Sequence, residues 1–166
     1  VQPVLIVRSP LTLRGETWPR YTMRMTWRIS TDARELQLDL VYPWLRASYW
    51  SPNIRRDVVE RAFANSVVAG AYDPNGSQLG VARAVTDRAT FAWLCDVYVS
   101  PGARGQGIAR AMVEALMQHP ELTTLRRWLL GTRDAHAVYA PLGFSPADPK
   151  IFMVLAPEPA LWSEPG

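Results

Sequence analysis

The hydrophobic pattern in the middle of the chain predicts three strands joined by two turns. Apolar and β-branched residues fill the ranges 66–72, 78–86 and 91–99. The sequence Asp73-Pro74-Asn75-Gly76, between the first two ranges, has its proline early and its glycine last, as turns often do. Since the second connection, at 87–89, is equally short, the pattern predicts an antiparallel meander. Shorter patterns of the same kind predict further strands at 25–30, 126–132 and 150–155.

Helical periodicity follows a different spacing and occurs in three stretches. In 54–65 it places Val58, Val59, Ala62 and Phe63 on one inward face, and a second helix starts at Ile108. A third is predicted over 134–142, with Asp134 as its N-terminal cap. The apolar residues that define the face of the second helix are Ile108, Ala109, Met112, Val113 and Leu116.

The region before the first long helix is less definite. Thr31 or Asp32 has the character of a helix N-cap, and the residues that follow, 36–41, fit a short helix or a loop equally well. In the last strand of the meander, strict alternation predicts two faces. Trp93, Cys95, Val97 and Val99 share one of them, and Leu94, Asp96 and Tyr98 share the other.

Length and composition predict a single globular domain. The chain has 166 residues, of which 48% are hydrophobic and 20% are charged. Prolines at positions 3, 10 and 19 make 1–24 an irregular arm, so we expect the domain over 25–156 and a tail over 157–166. Cys95 is the single cysteine, and no apolar run approaches the roughly 20 residues of a membrane span, so a cytoplasmic protein without a membrane partner is expected. The net charge of +3 is scattered along the chain, which argues against a nucleic-acid partner.

A glycine-containing loop connects the last strand of the meander to the helix at Ile108. The strand breaks at Ser100-Pro101-Gly102, and Arg104-Gly105-Gln106-Gly107 opens directly into the helix. Unpaired backbone N–H groups and the positive end of the helix dipole favour an anion there, such as a phosphate or pyrophosphate. The loop is neither a P-loop, because no Gly-Lys-Ser/Thr follows, nor a dinucleotide fingerprint, because Arg110 replaces the third glycine. A tight turn without a ligand is the alternative.

Two motifs in this order resemble those of the GCN5-related N-acetyltransferase (GNAT) family. Arg104, Gly107 and Ala109 match the signature Gln/Arg-x-x-Gly-x-Gly/Ala, and the segment from Tyr139 to Gly143-Phe144 matches Tyr-x-x-x-Gly-Phe. The resemblance covers roughly residues 25–155. It implies an α+β fold in which helices flank a mixed, mostly antiparallel twisted sheet, and a splayed strand pair holds an acyl-CoA. It also implies acetyl-CoA as co-substrate, without a metal.

The resemblance assigns expected roles to the residues around the loop. The backbone of 104–109 would hold the pyrophosphate, and Val97 and Val99 would pair with the pantetheine arm as an added strand does. The N–H region of Val97 is the candidate oxyanion donor. Asp134 stands where many relatives carry an asparagine that contacts CoA. The complete set of expected cofactor-binding residues is Val97, Tyr98, Val99, Arg104, Gly105, Gln106, Gly107, Ile108, Ala109, Arg110 and Asp134.

Tyr139 and Asp96 are the candidate catalytic residues. Tyr139 matches the family tyrosine that protonates the departing thiolate or orients the sulfur. Asp96 is the acidic residue on the strand that enters the loop, where the family often places its base; a salt bridge to Arg83 is the alternative. Asp87 and His136 are weaker candidates, with turn formation and exposure on a helix as their simpler interpretations. Cys95 is a less favoured nucleophile, because no histidine is paired with it in the sequence.

Tyr49, Trp50 and Arg83 are the expected acceptor-binding residues, with core packing as the alternative for the two aromatic side chains. The leading hypothesis is an N-acetyltransferase that acts on a primary amine of a small molecule or peptide. The alternative is a non-catalytic domain that binds acyl-CoA or a protein partner, and an enzyme acting on nucleotide phosphates comes third. Relatives in the family often form dimers, so a homodimer is also an open expectation.

Overall fold

A five-stranded sheet organises the protein, in a computed structural model that describes residues 26–156 and 158–164. The strands lie in sequence order, with antiparallel neighbours except for the last pair, which is parallel. The meander is confirmed, and its second and third strands have the predicted bounds. The expectation for the arm 1–24 lies outside the described residues. The strands are β1 (Arg28–Ser30), β2 (Val67–Tyr72), β3 (Gln78–Thr86), β4 (Phe91–Val99) and β5 (Arg127–Leu130).

Helices cover both faces of this sheet. The undecided segment 36–41 enters α1, and the Asp32 carboxylate caps a 3-10 turn just before it by accepting the Arg34 N–H at 2.9 Å. No helix in the described ranges is long and apolar enough to cross a membrane. The helices are α1 (Leu38–Arg46), α2 (Arg56–Ala64), α3 (Ile108–Met117) and α4 (His136–Tyr139).

Two apolar layers form the core. Val59 and Phe63 of α2, which were predicted to face inward, pack with α1 against one face of the sheet. Ile108, Met112 and other apolar residues of α3 pack against the other face. Every residue of β2 is buried, since this strand is covered on both sides.

The helix predicted over 134–142 is shorter, and Asp134 does not cap it. Ala135 occupies the N-cap position without a side-chain hydrogen bond. The Ala135 N–H donates to the Thr132 hydroxyl at 3.0 Å. The helix gives way to a 3-10 turn over Ala140–Leu142. Pro141 has no N–H to donate to an α-helical carbonyl, which explains the early end.

The strand predicted over 150–155 is also wrong. These residues pair with no strand of the described chain, and the Met153, Val154 and Leu155 side chains are exposed. Apolar and β-branched composition favours a strand only where a neighbour offers pairing and packing. The tail expected over 157–166 instead packs, in its described part, beside the loop between α1 and α2. There the Arg55 N–H donates to the Trp162 carbonyl at 3.1 Å.

A β-bulge at Asp96 overturns the predicted alternation along β4. Arg83 of β3 lies opposite Cys95, and the next pair along the strands is Val81 with Tyr98, so β4 has one more residue between the two pairs than β3 has. Asp96 adopts a φ of 51°. Consequently Leu94, Val97 and Val99 all pack in the layer of α3, and Tyr98 packs in the layer of α1.

Candidate functional site

Beyond the bulge β4 is no longer paired with β5, which leaves a candidate cleft between the two strands. The parallel pairing of these strands ends at Leu94 with Leu130. The Ser100 N–H donates to the Leu79 carbonyl at 2.8 Å, so strand alternation directs the backbone groups of Val99 and Val97 away from β3 and into the cleft. Within the described residues no strand pairs with this edge beyond Leu94. This edge therefore offers the backbone groups of Val97 and the Val99 N–H to an extended ligand, because the Val99 carbonyl already accepts from an arginine of the loop.

The N-terminus of α3 closes one end of the cleft with unbonded N–H groups. Gly107 is the N-cap, with a φ of 79°, and no side chain caps the helix. The first intrahelical bond runs from the Ala111 N–H to the Gly107 carbonyl at 3.0 Å, so the N–H groups of 108–110 have no helical acceptor. A Cβ added at Gly105 or Gly107 would meet nothing within 4 Å. This open, positively polarised end fits a phosphate or pyrophosphate.

The two arginines of the loop make contacts of their own. The Arg104 Nε donates to the Val99 carbonyl at 3.1 Å, and its guanidinium lies 5.9 Å from the centre of the Tyr98 ring. Arg110 forms an ion pair with Glu114 one turn along α3, at 2.8 Å. Backbone groups, and not these side chains, therefore make up the open part of the anion site.

Tyr139 lies on α4, and its position is fixed by the sequence that follows. Gly143 has a φ of 91°, which turns the chain so that the Phe144 N–H donates to the Tyr139 carbonyl at 3.3 Å. The two rings then meet edge to face at 6.0 Å. Burial, and to a smaller extent the neighbouring Tyr49 hydroxyl, raise the pKa of Tyr139. Its phenol is therefore protonated at neutral pH and has the character of a proton donor.

Asp96 forms the salt bridge to Arg83 that was the alternative to its role as a base. Its carboxylate accepts from the Arg83 guanidinium and also from the Trp50 indole N–H at 3.0 Å. Arg83 donates further to the Ser66 hydroxyl at 3.1 Å. Only 11% of the Asp96 side chain and 16% of the Arg83 side chain are exposed. Both are committed to each other, so neither is free to take a proton or to reach an acceptor without breaking this network.

The remaining candidate site residues either stabilise local structure, are too buried to react, or lie exposed at the start of α4. Asp87 bonds the Thr90 hydroxyl and the turn backbone, which hold the pKa of its carboxyl well below the usual range. Burial raises the pKa of the Cys95 thiol to about 12, which leaves little thiolate at neutral pH. His136 and Asp134 are exposed at the start of α4. Residues 26–156 and 158–164 contain no group of three or more His, Cys, Asp or Glu side chains that could hold a metal.

Tyr49 and Trp50 lie on the surface and not in the core. They are 47% and 41% exposed, and their rings meet edge to face at 5.0 Å. Trp50 reaches the bulge through Asp96, and Tyr49 is near Tyr139. The two aromatic side chains therefore form one wall beside the cleft, which we call the aromatic wall.

Arg133 joins this wall, and sequence reasoning missed it. Its guanidinium carbon lies 3.9 Å from the centre of the Tyr49 ring, and its backbone N–H donates to the Tyr49 hydroxyl at 3.4 Å. The one sequence signal that could have identified Arg133 is its position a few residues before Tyr139, in the loop that leads into α4. The contact with Tyr49 spans 84 residues of sequence, and no local pattern reports such a contact.

Comparisons with known proteins match this fold to one family. The model of the acetyltransferase (GNAT) family matches residues 24–144. A candidate acetyltransferase from Gibberella zeae is 30% identical in an alignment of length 141 that covers 71% of this chain and 78% of that protein.

Solved structures show the same fold. A crystal structure of a candidate GNAT acetyltransferase from Xanthomonas campestris pv. campestris has 38% identity and a TM-score of 0.77, and the match covers 84% of this chain and 98% of that one. A candidate acetyltransferase from Clostridium acetobutylicum, solved with acetyl-CoA, has 19% identity and a TM-score of 0.60 over 79% of this chain and 95% of that one. The chain belongs to the GNAT family of acetyltransferases.

Proposed function

We propose that the protein transfers an acetyl group from acetyl-CoA to a primary amine of a small molecule or peptide, by direct attack of the amine. The observation that carries this proposal is the continuity of the cleft. The unpaired edge of β4 at Val97 and Val99 runs into the open N–H groups at the start of α3. This arrangement matches a ligand with an extended amide-containing arm and a diphosphate, as in CoA.

Acetyl-CoA would supply an activated thioester carbonyl, and this chain would hold and orient it. The backbone of Gly107 to Arg110 would bind the diphosphate, and the free edge of Val97 and Val99 would align the arm. The Val97 N–H is the candidate donor to the negative charge that develops on the carbonyl oxygen. Tyr139, whose phenol stays protonated, would give a proton to the leaving thiolate.

Because the Asp96 carboxylate is paired with Arg83, acetyl transfer would depend mainly on the positioning of the two substrates. An alkyl amine with a pKa near 10.4 is mostly protonated at pH 7, and loss of that proton costs about 4.6 kcal/mol. Correct placement of two reactants lowers a barrier by about 7–11 kcal/mol. The gain from positioning exceeds the cost of deprotonating the amine, so a strong general base is not required. Water beside the exposed aromatic wall would accept the proton.

Tyr139→Phe tests this function. The substitution removes the hydroxyl and keeps the ring that packs on Phe144, so we expect turnover to fall at least about tenfold, as for loss of one acid catalyst. Acetyl-CoA affinity should stay close to that of the unmodified protein. Thiol release from acetyl-CoA across a panel of amines measures the first quantity, and calorimetry measures the second. Unchanged turnover would remove Tyr139 from the mechanism.

A non-catalytic acyl-CoA-binding domain is the second candidate function. It is favoured by the Asp96 carboxylate, which is engaged with Arg83 and Trp50. The same assays separate the two functions. Binding of acetyl-CoA without thiol release on any amine of the panel would support the binding domain, and release with even one class of amine would support the enzyme.

A further inference from the structure

Arg133 brings an uncompensated positive charge to the aromatic wall. Its guanidinium stacks on the Tyr49 ring at 3.9 Å, and it forms no ion pair with any acidic residue of the described chain. Asp134 is its neighbour in sequence, yet no ion pair joins these two side chains in the described residues. Stacking covers one face of a guanidinium and leaves its N–H edge available to an oxyanion.

A chain of side-chain contacts connects Arg133 to the part of the cleft where we propose that acetyl transfer takes place. Tyr49, beneath Arg133, meets Trp50 at 5.0 Å, and the Trp50 indole bonds Asp96 in the bulge at 3.0 Å. Tyr49 also lies close enough to Tyr139 to contribute to the raised pKa of that phenol. The guanidinium therefore stands at the rim of the surface where an acceptor amine would approach.

The other charged groups at the wall do not cancel Arg133. Asp96 is neutralised by Arg83, and both side chains are largely buried. Arg104, whose Nε donates to the Val99 carbonyl at the end of β4, adds another positive charge. A second cation would be repelled from the Tyr49 face that Arg133 already covers, whereas an anion would gain a charge-assisted hydrogen bond.

We propose that the acceptor amine carries an oxyanion, a carboxylate or a phosphate, which Arg133 binds while the amine lies against the aromatic wall. This inference rests on the proposed acetyl transfer and narrows its substrate class. It makes amino carboxylates and aminoalkyl phosphates better acceptors than neutral or polycationic amines of the same length.

Matched acceptors test the substrate class by steady-state kinetics. We compare γ-aminobutyrate with its amide, aminopropyl phosphate with aminopropanol, and longer homologues of each pair. A charge-assisted hydrogen bond predicts that the anionic member of a pair has a KM about tenfold lower. The carboxylate and phosphate arms show which oxyanion the site prefers.

Variants test whether Arg133 is the source of the preference. In Arg133→Gln the ratio of kcat/KM between the anionic acceptor and its neutral partner should fall towards one. The matched control is Arg127→Gln, which removes the same charge from an exposed position at the opposite end of β5. The control should keep the full ratio. Equal use of anionic and neutral acceptors by the unmodified protein would overturn the inference, and so would a preference that survives Arg133→Gln.

A binding experiment separates this inference from the proposed function. The N-acetyl derivatives of γ-aminobutyrate and of its amide are unreactive, and calorimetry measures their affinity for the CoA-loaded protein. Tighter binding of the anionic derivative, lost in Arg133→Gln, supports the inference even if no amine is acetylated, a result that would refute the proposed transfer. Equal affinities refute the inference even if neutral amines are acetylated, and the proposed function then stands.

Discussion

A bulky side chain at Gly107 should abolish the anion site and leave the fold intact. We take Gly107→Leu as the test, because Gly107 is the N-cap of α3 and has a φ of 79°. A non-glycine residue in this conformation costs about 1–2 kcal/mol of stability. The leucine side chain would also occupy open space directly next to the N–H groups of 108–110, where a Cβ meets nothing within 4 Å.

The effect on affinity follows from the hydrogen bonds that the side chain would block. A hydrogen bond to a charged group contributes about 1.5–3 kcal/mol. Loss of one such bond weakens acetyl-CoA binding by roughly tenfold to a hundredfold, and loss of two multiplies that effect. We therefore expect calorimetry to find binding at least tenfold weaker.

Gly76→Leu is the matched control. Gly76 also has a positive φ, of 84°, and a Cβ there would also meet nothing within 4 Å, but it lies in the turn between β2 and β3. Both variants should lose a similar free energy of unfolding in urea, while only Gly107→Leu loses affinity. If Gly107→Leu binds acetyl-CoA as tightly as Gly76→Leu does, the assignment of the anion site is refuted.

Three further predictions concern buried groups. Asp96→Ala leaves the Arg83 guanidinium without its ion-pair partner, so urea denaturation should show a loss of about 3 kcal/mol, and the double variant with Arg83→Met should lose less; an unchanged midpoint would refute the buried pair. Burial raises the pKa of Tyr139, so the basic limb of kcat should lie above the ordinary range of a tyrosine and disappear in Tyr139→Phe; a limb near neutral pH would contradict the burial of the phenol. The raised pKa of Cys95 predicts slow alkylation by iodoacetamide at pH 8 in the folded protein and fast alkylation in urea, measured by mass spectrometry, and rapid alkylation without urea would show an accessible thiolate.

The local patterns of the chain specify the meander and the glycine-containing loop before α3 well. The strands 78–86 and 91–99 are bounded by turn residues on both sides, so composition alone places them. The loop from Arg104 to Gly107 is equally readable, since glycines between a strand and an apolar helical face have few alternative structures. These features depend on residues close together in the sequence.

The site around this frame depends on contacts that no local pattern reports. Alternation assumes uniform pairing, so the extra residue at Asp96 inverted the predicted faces of β4 beyond it. The apolar run 150–155 satisfies strand composition but has no neighbouring strand in the described chain. The position of Arg133 over Tyr49 follows only from the three-dimensional path of two loops. Pairing partners and loop paths are properties of the whole fold, which explains why sequence analysis could not supply them.

The hydrogen bond from Trp50 to Asp96 has a kinetic consequence. It ties the wall that an acceptor would touch to the residue that bends β4, so a displacement of the indole would strain the backbone that we propose to align the thioester. Binding of one substrate would then alter the binding site of the other before the chemical step. Initial-rate patterns should accordingly show synergy between the two substrates, each lowering the apparent Michaelis constant of its partner.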